Sequence, residues 1–329
     1  MADTPDAPRP RRRVLVTGIG MITPLGGDTA SFWLRFLTGR SAIRELDDRF
    51  ADLPVRIGAP AAIEPADCLP RAQARTMNRG SQFAVLAACE AWADAGLDTP
   101  VVDPHPAGLS VGTIIDGAPA LVDASHQLRD KDPRHVSPHA SPMTVPNGAV
   151  ARIAIDLDTR GEARTIVSAC ASGTEATDRI RAGHIDVAVG GGTEAVIHPT
   201  VMAAFASLRA LARGTRSPAH ASKPFDEHRD GFVLGEGAAF LILEAEEHAR
   251  ARGARTYCEI AGWGLSADAQ GIDAAQAPTD GAAGNSSQSL RLSLRLASPT
   301  QPFLRLYETP RRRGGSGFDA RSSSLAGRA

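Results

Sequence analysis

Residues 166–176, IVSACASGTEA, place Cys170 between a short apolar run and the first residues of a helical pattern. A helix N-terminus carries about half a positive charge and several unpaired N–H groups, which stabilise a thiolate and lower the pKa of its thiol. The small alanine and glycine neighbours leave room for a carbonyl group to approach the sulfur. This arrangement suits acyl transfer through a thioester, with the Cys170 N–H available to a developing oxyanion.

A structural cysteine that caps a core helix explains the same spacing, so the pattern alone leaves both interpretations open. The segment around Cys170 is neither a GxSxG nucleophile elbow nor a papain-like CGSCW motif. The chain has no HExxH motif, and its nine histidines show no metal-ligand spacing. We therefore predict neither a metal nor a cofactor.

The other three cysteines, Cys68, Cys89 and Cys258, are far apart and form no CxxC pair. A disulfide framework or a structural zinc site is not expected from such spacing. Cys89 lies in the helical pattern FAVLAACEAWADAG and is predicted to be a small buried hydrophobic residue.

Composition narrows the class of protein further. With 43% hydrophobic residues, the 329-residue chain can form one large domain or two ordinary ones. The formal net charge of −1 gives no overall attraction to nucleic acid or membranes. No stretch approaches the roughly 20 apolar residues of a membrane span, and the N-terminal MADTPDAPRPRRR lacks the apolar core of a secretory signal. We predict a cytoplasmic protein.

The elements that must position Cys170 follow from periodicity. Short apolar strands alternate with helical patterns, which predicts an α/β layered domain with a largely parallel sheet. Val14–Thr17 reads as a strand, and the glycines at 18 and 20 do not complete a Rossmann fingerprint because Thr23 occupies the third position. Helices are predicted in residues 28–38, 77–95 and 171–182, ending at Gly39, Gly96 and Gly183, whereas residues 116–146 are predicted to form an irregular surface excursion.

Four motifs together carry a family resemblance: RRVLVTGIGMITPLG, VSACASGTEA, AVGGGTEAVIHP and KPFDEHRDGFVLGEGAAFLILE. They run in family order from about residue 12 to residue 280, and the sequence resembles the β-ketoacyl-ACP synthases. The resemblance implies a thiolase-like fold of two similar α/β halves and a homodimer. The implied reaction is decarboxylative Claisen condensation between a cysteine-bound acyl chain and malonyl-ACP, with acyl-ACP and malonyl-ACP as partners.

By that resemblance Cys170 is the acyl-accepting nucleophile. Ile115 in GTIIDG and Phe205 in AAFASLRAL match positions that line the acyl pocket, although ordinary core packing explains both residues equally well. Arg209 falls where the family meets its carrier protein, and a solvated surface arginine is the simpler alternative.

The match departs from the family in two places. The family uses two histidines and a lysine from its second half, but here the last histidine is His248 and the last lysine is Lys223. In addition, the stretch between Cys170 and the strand IDVAV is about four residues shorter than in the family, roughly one helical turn. We expect weak or absent condensation from this chain alone, while acylation of Cys170 requires none of these groups.

The predicted organisation has four parts. Residues 1–11 form a disordered leader, 12–260 the ketosynthase-like N-terminal half, 261–284 the start of the second half, and 285–329 an Arg/Ser-rich tail with only two acidic residues, Glu308 and Asp319. This tail is predicted to be disordered or, as an alternative hypothesis suggested by its composition, to be the product of a frameshift in a GC-rich gene.

Two alternatives to the condensing enzyme stay open. A non-catalytic, ketosynthase-like partner subunit with a structural or chain-length role agrees with the missing histidines but not with the intact Cys170. A thiolase-like acyltransferase without decarboxylation needs only the cysteine and a base, for which His198 and His228 are the candidates nearest to the motifs.

Overall fold

The computed structural model describes residues 12–98, 106–168, 172, 176–214, 217–266 and 289–296. The strands among these residues are β1 Val14–Ile22, β2 Arg44–Glu45, β3 Ile57–Gly58, β4 Gly108–Gly112, β5 Ala163–Ile166, β6 Val187–Glu194, β7 Gly237–Ala245, β8 Cys258–Ser266 and β9 Ser289–Leu296. The α-helices are α1 Thr29–Phe36, α2 Arg71–Ala74, α3 Arg79–Asp94, α4 Ala118–Asp130, α5 Ala140–Thr144, α6 Gly148–Asp156, α7 Ala176–Arg181, α8 Pro199–Ser207 and α9 Glu246–Ala251.

Seven of these strands form one sheet in the order β5-β4-β6-β7-β1-β8-β9, and β2 pairs with β3 apart from it. Among the described strands of this sheet, β4 pairs in parallel with β5 on one side and with β6 on the other, whereas the pairs from β6–β7 through β8–β9 are antiparallel. The prediction of a largely parallel sheet is therefore wrong. The central strands β4, β6, β7 and β1 are largely apolar because both faces of the sheet are covered there, and such burial gives apolar runs whatever the pairing direction.

Helices on the two faces of the sheet build two hydrophobic clusters. On one face α3 packs across β1, β6 and β7, and its Phe83, Ala87 and Ala91 are fully buried. On the other face Ile180 of α7 packs with Val14 of β1 and with apolar residues of β7. A helix layer on each side of a mixed sheet confirms the predicted α/β layered class.

Close contact between α3 and β1 explains why the first strand contains glycine. A Cβ atom at Gly18 would overlap the Ala91 carbonyl oxygen of α3, so only glycine lets the helix lie this close to the strand. The predicted strand at Val14–Thr17 consequently does not stop at the glycines but continues to Ile22.

The predicted helix boundaries hold where the structure describes them. Asp28 caps α1 by accepting a hydrogen bond from the Ser31 N–H at 2.6 Å, and Asn78 caps α3 by accepting one from the Ser81 N–H at 2.7 Å. Gly39, Gly96 and Gly183, which follow α1, α3 and α7, all adopt positive φ. Of the helix predicted at 171–182, the structure describes Ala176–Arg181.

The predicted irregular excursion at 116–146 is wrong. Most of it is helical, in α4 and α5, and α4 packs against α8 and α5. No residue of α4 is buried, so this segment lacks the apolar spacing of a core helix. Its proline, histidine and aspartate content therefore resembles that of a loop.

Part of the tail for which disorder is predicted forms a strand. Residues 289–296, SLRLSLRL, form β9, which pairs antiparallel with β8 from Cys258↔Leu296 to Ser266↔Ser289. The period-two alternation of this segment is a strand signal, and the otherwise unpaired edge of β8 supplies its partner.

A buried carboxylate joins β1, β7 and α9. Glu244 is fully buried and accepts hydrogen bonds from Thr17, from Arg252 (Nε at 2.9 Å) and from His248 (Nδ1 at 2.6 Å). Burial acts to raise the pKa of Glu244, but these hydrogen bonds outweigh burial and hold the pKa below its usual range. The charge is stable in the core because each carboxylate oxygen has partners.

Candidate active site

Three parallel strands bring their carboxyl ends to one rim of the sheet. Gly112, the last residue of β4, pairs with Ile166 of β5 and with Gly192 of β6. The Thr113 N–H then donates to the Ile166 carbonyl oxygen at 3.3 Å, which joins the first residue beyond β4 to the last residue of β5. In parallel sheets such a rim is where loops gather to form sites.

The segment with Cys170 leaves β5 at this rim. Cys170 itself lies outside the described residues, but residues on both sides of it are described. The Ser168 N–H donates to Ser172 Oγ at 2.9 Å, and Ser172 is buried. Farther along, Ala176 and Ile180 of α7 are fully buried in the core. The thiol-bearing segment is therefore anchored at both ends.

Two carboxylates tie the turns after β4 and β6 to each other. Glu194, the last residue of β6, accepts hydrogen bonds from the N–H groups of Ile114 (Oε2, 2.8 Å) and Ile115 (Oε1, 3.1 Å). In the opposite direction, Asp116 accepts one from the Ala195 N–H at 3.1 Å. We call Glu194 and Asp116, with the three amides that they accept, the carboxylate clamp.

Burial perturbs both acids of the carboxylate clamp. Loss of water raises the pKa of Asp116 to about 7, and the nearby negative charge of Glu194 adds to that effect. Burial also raises the pKa of Glu194, although the Ile114 and Ile115 amides oppose the rise. A third buried carboxylate, Glu236, contributes less to the Asp116 pKa, and its own charge is paired with Arg79 at 2.8 Å.

Asp116 sits against the first turn of α3. A Cβ atom on Gly80 would overlap the Asp116 carboxylate, and the Asn78 side chain hydrogen-bonds to the same acid. The glycine at position 80 is thus required by the close approach of a carboxylate to the helix start, where the helix dipole favours negative charge.

The structure places Ile115 in the turn that the carboxylate clamp holds. Ile114 and Ile115 are 43% and 40% exposed, which is unusual for isoleucine and leaves apolar surface at the rim. The Ile115 carbonyl oxygen accepts the Ala118 N–H at 2.8 Å as α4 begins. This location is compatible with the predicted pocket-lining role, which remains a prediction.

Phe205 and Arg209 lie on and just after α8, the helix that follows β6. Phe205 is half-buried and meets Phe232 edge-on, with ring centroids 5.5 Å apart. Arg209 is exposed and has φ of 57°, in the left-handed region that usually takes glycine. The two hydrogen bonds of a Schellman motif, from Arg209 N–H to Ala206 and from Ala210 N–H to Phe205, end the helix there.

The two candidate histidines have different surroundings. His198 caps α8 by accepting the Thr200 N–H on Nδ1 at 3.2 Å, and its Nε2 faces Asp123 of α4 at 3.6 Å. Both ring nitrogens therefore have partners, Nδ1 within the cap of α8 and Nε2 on α4. His228 lies in a turn with its side chain 82% exposed, near Glu227.

Two of the other cysteines, Cys89 and Cys258, are not activated. Burial raises the pKa of both Cys89 and Cys258 to about 11, which keeps their thiols protonated. This agrees with the prediction that Cys89 behaves as a small hydrophobic residue, since it packs against the α3 cluster. Cys68 is exposed and its thiol lies 3.8 Å from the Glu64 carbonyl oxygen.

Sequence reasoning missed both acids of the carboxylate clamp. The available signal was an acidic residue placed directly after an apolar strand, in GGGTEA for Glu194 and GTIIDG for Asp116. It also overlooked GLSVG at 108–112, which fits the GxSxG spacing. Ser110 of that segment is 4% exposed in the middle of β4, so it is not on the sharp turn that a nucleophile elbow requires.

Two kinds of feature are absent from the described residues. Among these residues no three histidine, cysteine or acidic side chains are grouped so that they could hold a metal ion. Within the same part of the chain, no helix is both long and apolar enough to cross a membrane.

The layered sheet and the rim where three parallel strands end define a thiolase-like α/β protein, and comparison with known proteins gives the family. The sequence model described as "Beta-ketoacyl synthase, N-terminal domain" matches residues 11–249. The chain therefore belongs to the β-ketoacyl synthase family.

Individual relatives agree with this family. The chain is 39% identical over 286 residues to 3-oxoacyl-[acyl-carrier-protein] synthase 2 of Rhizobium meliloti, covering 82% of this chain and 68% of the relative. Its fold is similar to that of the ishigamide ketosynthase/chain length factor, with TM-score 0.70, 32% identity and coverage of 80% and 65%. A type II PKS acyl-carrier protein in complex with its ketosynthase, bound to the hexaketide, gives TM-score 0.71 at 26% identity, with coverage of 80% and 65%. The chain thus spans about two thirds of the length of these proteins.

Proposed function

We propose that this chain is a ketosynthase in which Cys170 accepts an acyl chain from acyl carrier protein, the first half-reaction of 3-oxoacyl-ACP synthesis in fatty acid or polyketide biosynthesis. One observation carries the proposal: the segment with Cys170 leaves β5 at the rim where β4 and β6 also end. The turns after those strands lie on one side of this segment, because β5 is the edge strand with β4 and then β6 beside it, and the ends of the segment are anchored at Ser168 and α7.

The proposed acylation is a thioester exchange that needs no cofactor. The Cys170 thiolate attacks the carbonyl carbon of the acyl-ACP thioester, and the negative charge moves to the carbonyl oxygen. Backbone N–H groups at the start of the following helix would stabilise this oxyanion. Collapse of the intermediate breaks the bond to the carrier sulfur, and the carrier thiolate leaves and takes up a proton.

Condensation is the second half-reaction. Malonyl-ACP would lose CO₂, and the resulting carbanion would attack the acyl-Cys170 carbonyl to give 3-oxoacyl-ACP and regenerate the thiolate. The family resemblance assigns the stabilisation of that enolate to two histidines with a neighbouring lysine, and their segments do not occur in this sequence. Removing such groups typically costs several kcal/mol of barrier, so we expect acylation to be far faster than condensation.

Intact mass spectrometry tests the proposal. Purified protein and a Cys170→Ala variant are incubated with a long-chain acyl-ACP, and circular dichroism confirms that both are folded. An acyl mass increment on the wild type alone supports the proposal. Absence of an adduct on folded wild-type protein refutes it, and equal labelling of Cys170→Ala shows reaction elsewhere, for which the exposed Cys68 is the first residue to examine.

A non-catalytic partner subunit is the second candidate. The missing histidine and lysine segments favour it, and one structural neighbour is a ketosynthase paired with a chain length factor. This alternative predicts that folded protein takes no acyl group yet forms a complex with an intact ketosynthase and changes the length of its products.

The proposed partners are acyl-ACP and malonyl-ACP, with Arg209 near the carrier contact and Ile115 and Phe205 in the pocket wall. We also propose a homodimer and, from the sequence, a cytoplasmic location. The dimer is supported by apolar surface on and near the edge strand β5, where Val167 is 57% and Ile155 of α6 is 66% exposed. Sedimentation equilibrium tests it: a monomer at micromolar concentration contradicts the dimer.

A further inference from the structure

The turn after β4 carries apolar side chains that packing does not hold in place. Ile114 and Ile115 are each about two-fifths exposed, so the surrounding core does not fix their position. The turn is held through its backbone instead. The Thr113 N–H bonds to Ile166 of β5, and the next two N–H groups both bond to the carboxylate of Glu194.

Glu194 is well placed to be the fixed partner. It ends β6, where its backbone pairs with Gly237 of β7, so its position is set by the interior of the sheet. One carboxylate oxygen serves each amide, which leaves neither amide of the turn without an acceptor. Hydrogen bonds to a charged acceptor that is partly removed from water are about twice as strong as neutral ones.

The reciprocal bond prevents β6 and the turn from moving apart. Asp116, one residue beyond the turn, accepts the Ala195 N–H, so each strand end supplies a carboxylate to the other. Beyond Asp116 the chain enters α4, which is joined to α8 through Asp123 and His198. The position of Ile115 therefore depends on Glu194 on its amide side and on α4 on its carbonyl side.

We propose that Glu194 is a positioning residue that fixes the Ile114–Ile115 turn as a wall of the acyl site and thereby sets which acyl chain lengths Cys170 accepts. The inference rests on the proposed acylation function and deepens it. Glu194 does not touch the reacting atoms; it acts through the backbone of the turn.

The first readout of the test is independent of activity. Hydrogen–deuterium exchange is measured for peptides covering residues 112–118 in the wild type, Glu194→Ala and Glu194→Gln. Loss of both acceptors in Glu194→Ala is expected to speed exchange at the Ile114 and Ile115 amides by about tenfold or more. Glu194→Gln keeps one carbonyl acceptor, so one of the two amides stays protected.

Glu162→Gln is the matched control. Glu162 is also a half-buried glutamate of this sheet, but it precedes β5 at the opposite rim and pairs with Arg179. Its replacement is expected to leave exchange in residues 112–118 unchanged. If Glu194→Ala exchanges no faster than the wild type at Ile114 and Ile115, the inference is wrong.

The second readout is the acyl chain profile. Adduct formation at Cys170 is compared for six-carbon and sixteen-carbon acyl-ACP in the same variants. A loosened wall admits the longer chain more readily, so the ratio of long-chain to short-chain acylation rises by at least about threefold in Glu194→Ala. A merely structural role would lower both rates equally, and that result overturns the inference even if amide exchange is faster. Failure of the wild type to acylate refutes the proposed function separately, and the exchange comparison then decides whether Glu194 positions the turn.

Discussion

Replacing Asp116 by asparagine should make the protein more stable at neutral and alkaline pH. The pKa of this buried acid is raised from the ordinary value of 3.8 to about 7 in the folded protein, mainly by burial and then by the charge of Glu194. The folded state therefore holds the proton more tightly than the unfolded state. The associated stability is complete below pH 3.8 and is lost progressively as the pH rises to about 7. Asparagine resembles the protonated acid and still offers an oxygen to the Ala195 N–H.

The magnitude follows from the two pKa values. A shift of about three pKa units is worth about 4 kcal/mol when the group is fully ionised. Between pH 5 and pH 8 the wild type should lose about 2.5 kcal/mol of unfolding free energy that Asp116→Asn keeps. The measurement is urea-induced unfolding, followed by tryptophan fluorescence, at several pH values across this range.

The control for this prediction is Asp47→Asn. Asp47 is fully exposed, and the neighbouring Arg49 lowers its pKa, so it is charged in both states throughout this pH range. Its stability difference from wild type should stay constant with pH. If the difference between Asp116→Asn and wild type is also the same at pH 5 and pH 8, the argument that burial raises the pKa of Asp116 is refuted.

Three further substitutions test contacts described above, each by chemical denaturation. Gly80→Ala should destabilise the fold by about 1–3 kcal/mol, because its methyl group displaces an acid of the carboxylate clamp; a neutral result would mean that the helix start is not tightly packed. Arg252→Ala should cost about 3 kcal/mol by leaving the buried charge of Glu244 undercompensated, whereas Arg250→Ala, an exposed arginine of α9, should change stability by less than about 0.5 kcal/mol. Similar costs for the two arginines would contradict this. Arg209→Gly should stabilise by about 1 kcal/mol because glycine adopts positive φ without strain, and a loss of stability would show that the arginine side chain has a compensating contact.

The elements that the sequence predicts best are those whose signals are local. Asp28 and Asn78 mark the starts of helices, and Gly39 and Gly96 mark their ends, because capping depends on residues only a few positions apart. The sheet is different, since pairing direction depends on which strands meet. The apolar run of β7 shows burial on two faces, but nothing within it shows that both of its neighbours are antiparallel.

The candidate site also contains residues that local sequence predicts and residues that it does not. A cysteine after an apolar strand is visible as a pattern, and the family motifs identify it further. The carboxylate clamp is not visible, because Ile115 and Glu194 are 79 residues apart in sequence and meet only when β4 and β6 end together. For His198, the sequence does not distinguish a free imidazole from one that caps a helix. The hydrogen bond from Thr200 and the contact with Asp123 identify it as a helix cap.

The strand order of the large sheet separates the chemistry from the tail of the chain. β5 occupies one margin and β9 the other, six strand spacings away, which corresponds to about 29 Å at roughly 4.8 Å per spacing. Sequence changes in β9 therefore affect the edge of the sheet that is remote from the thiol-bearing segment. The antiparallel strands lie between the two edges. This separation predicts that proteolytic removal of β9 leaves the shape of the rim at β5, β4 and β6 unchanged.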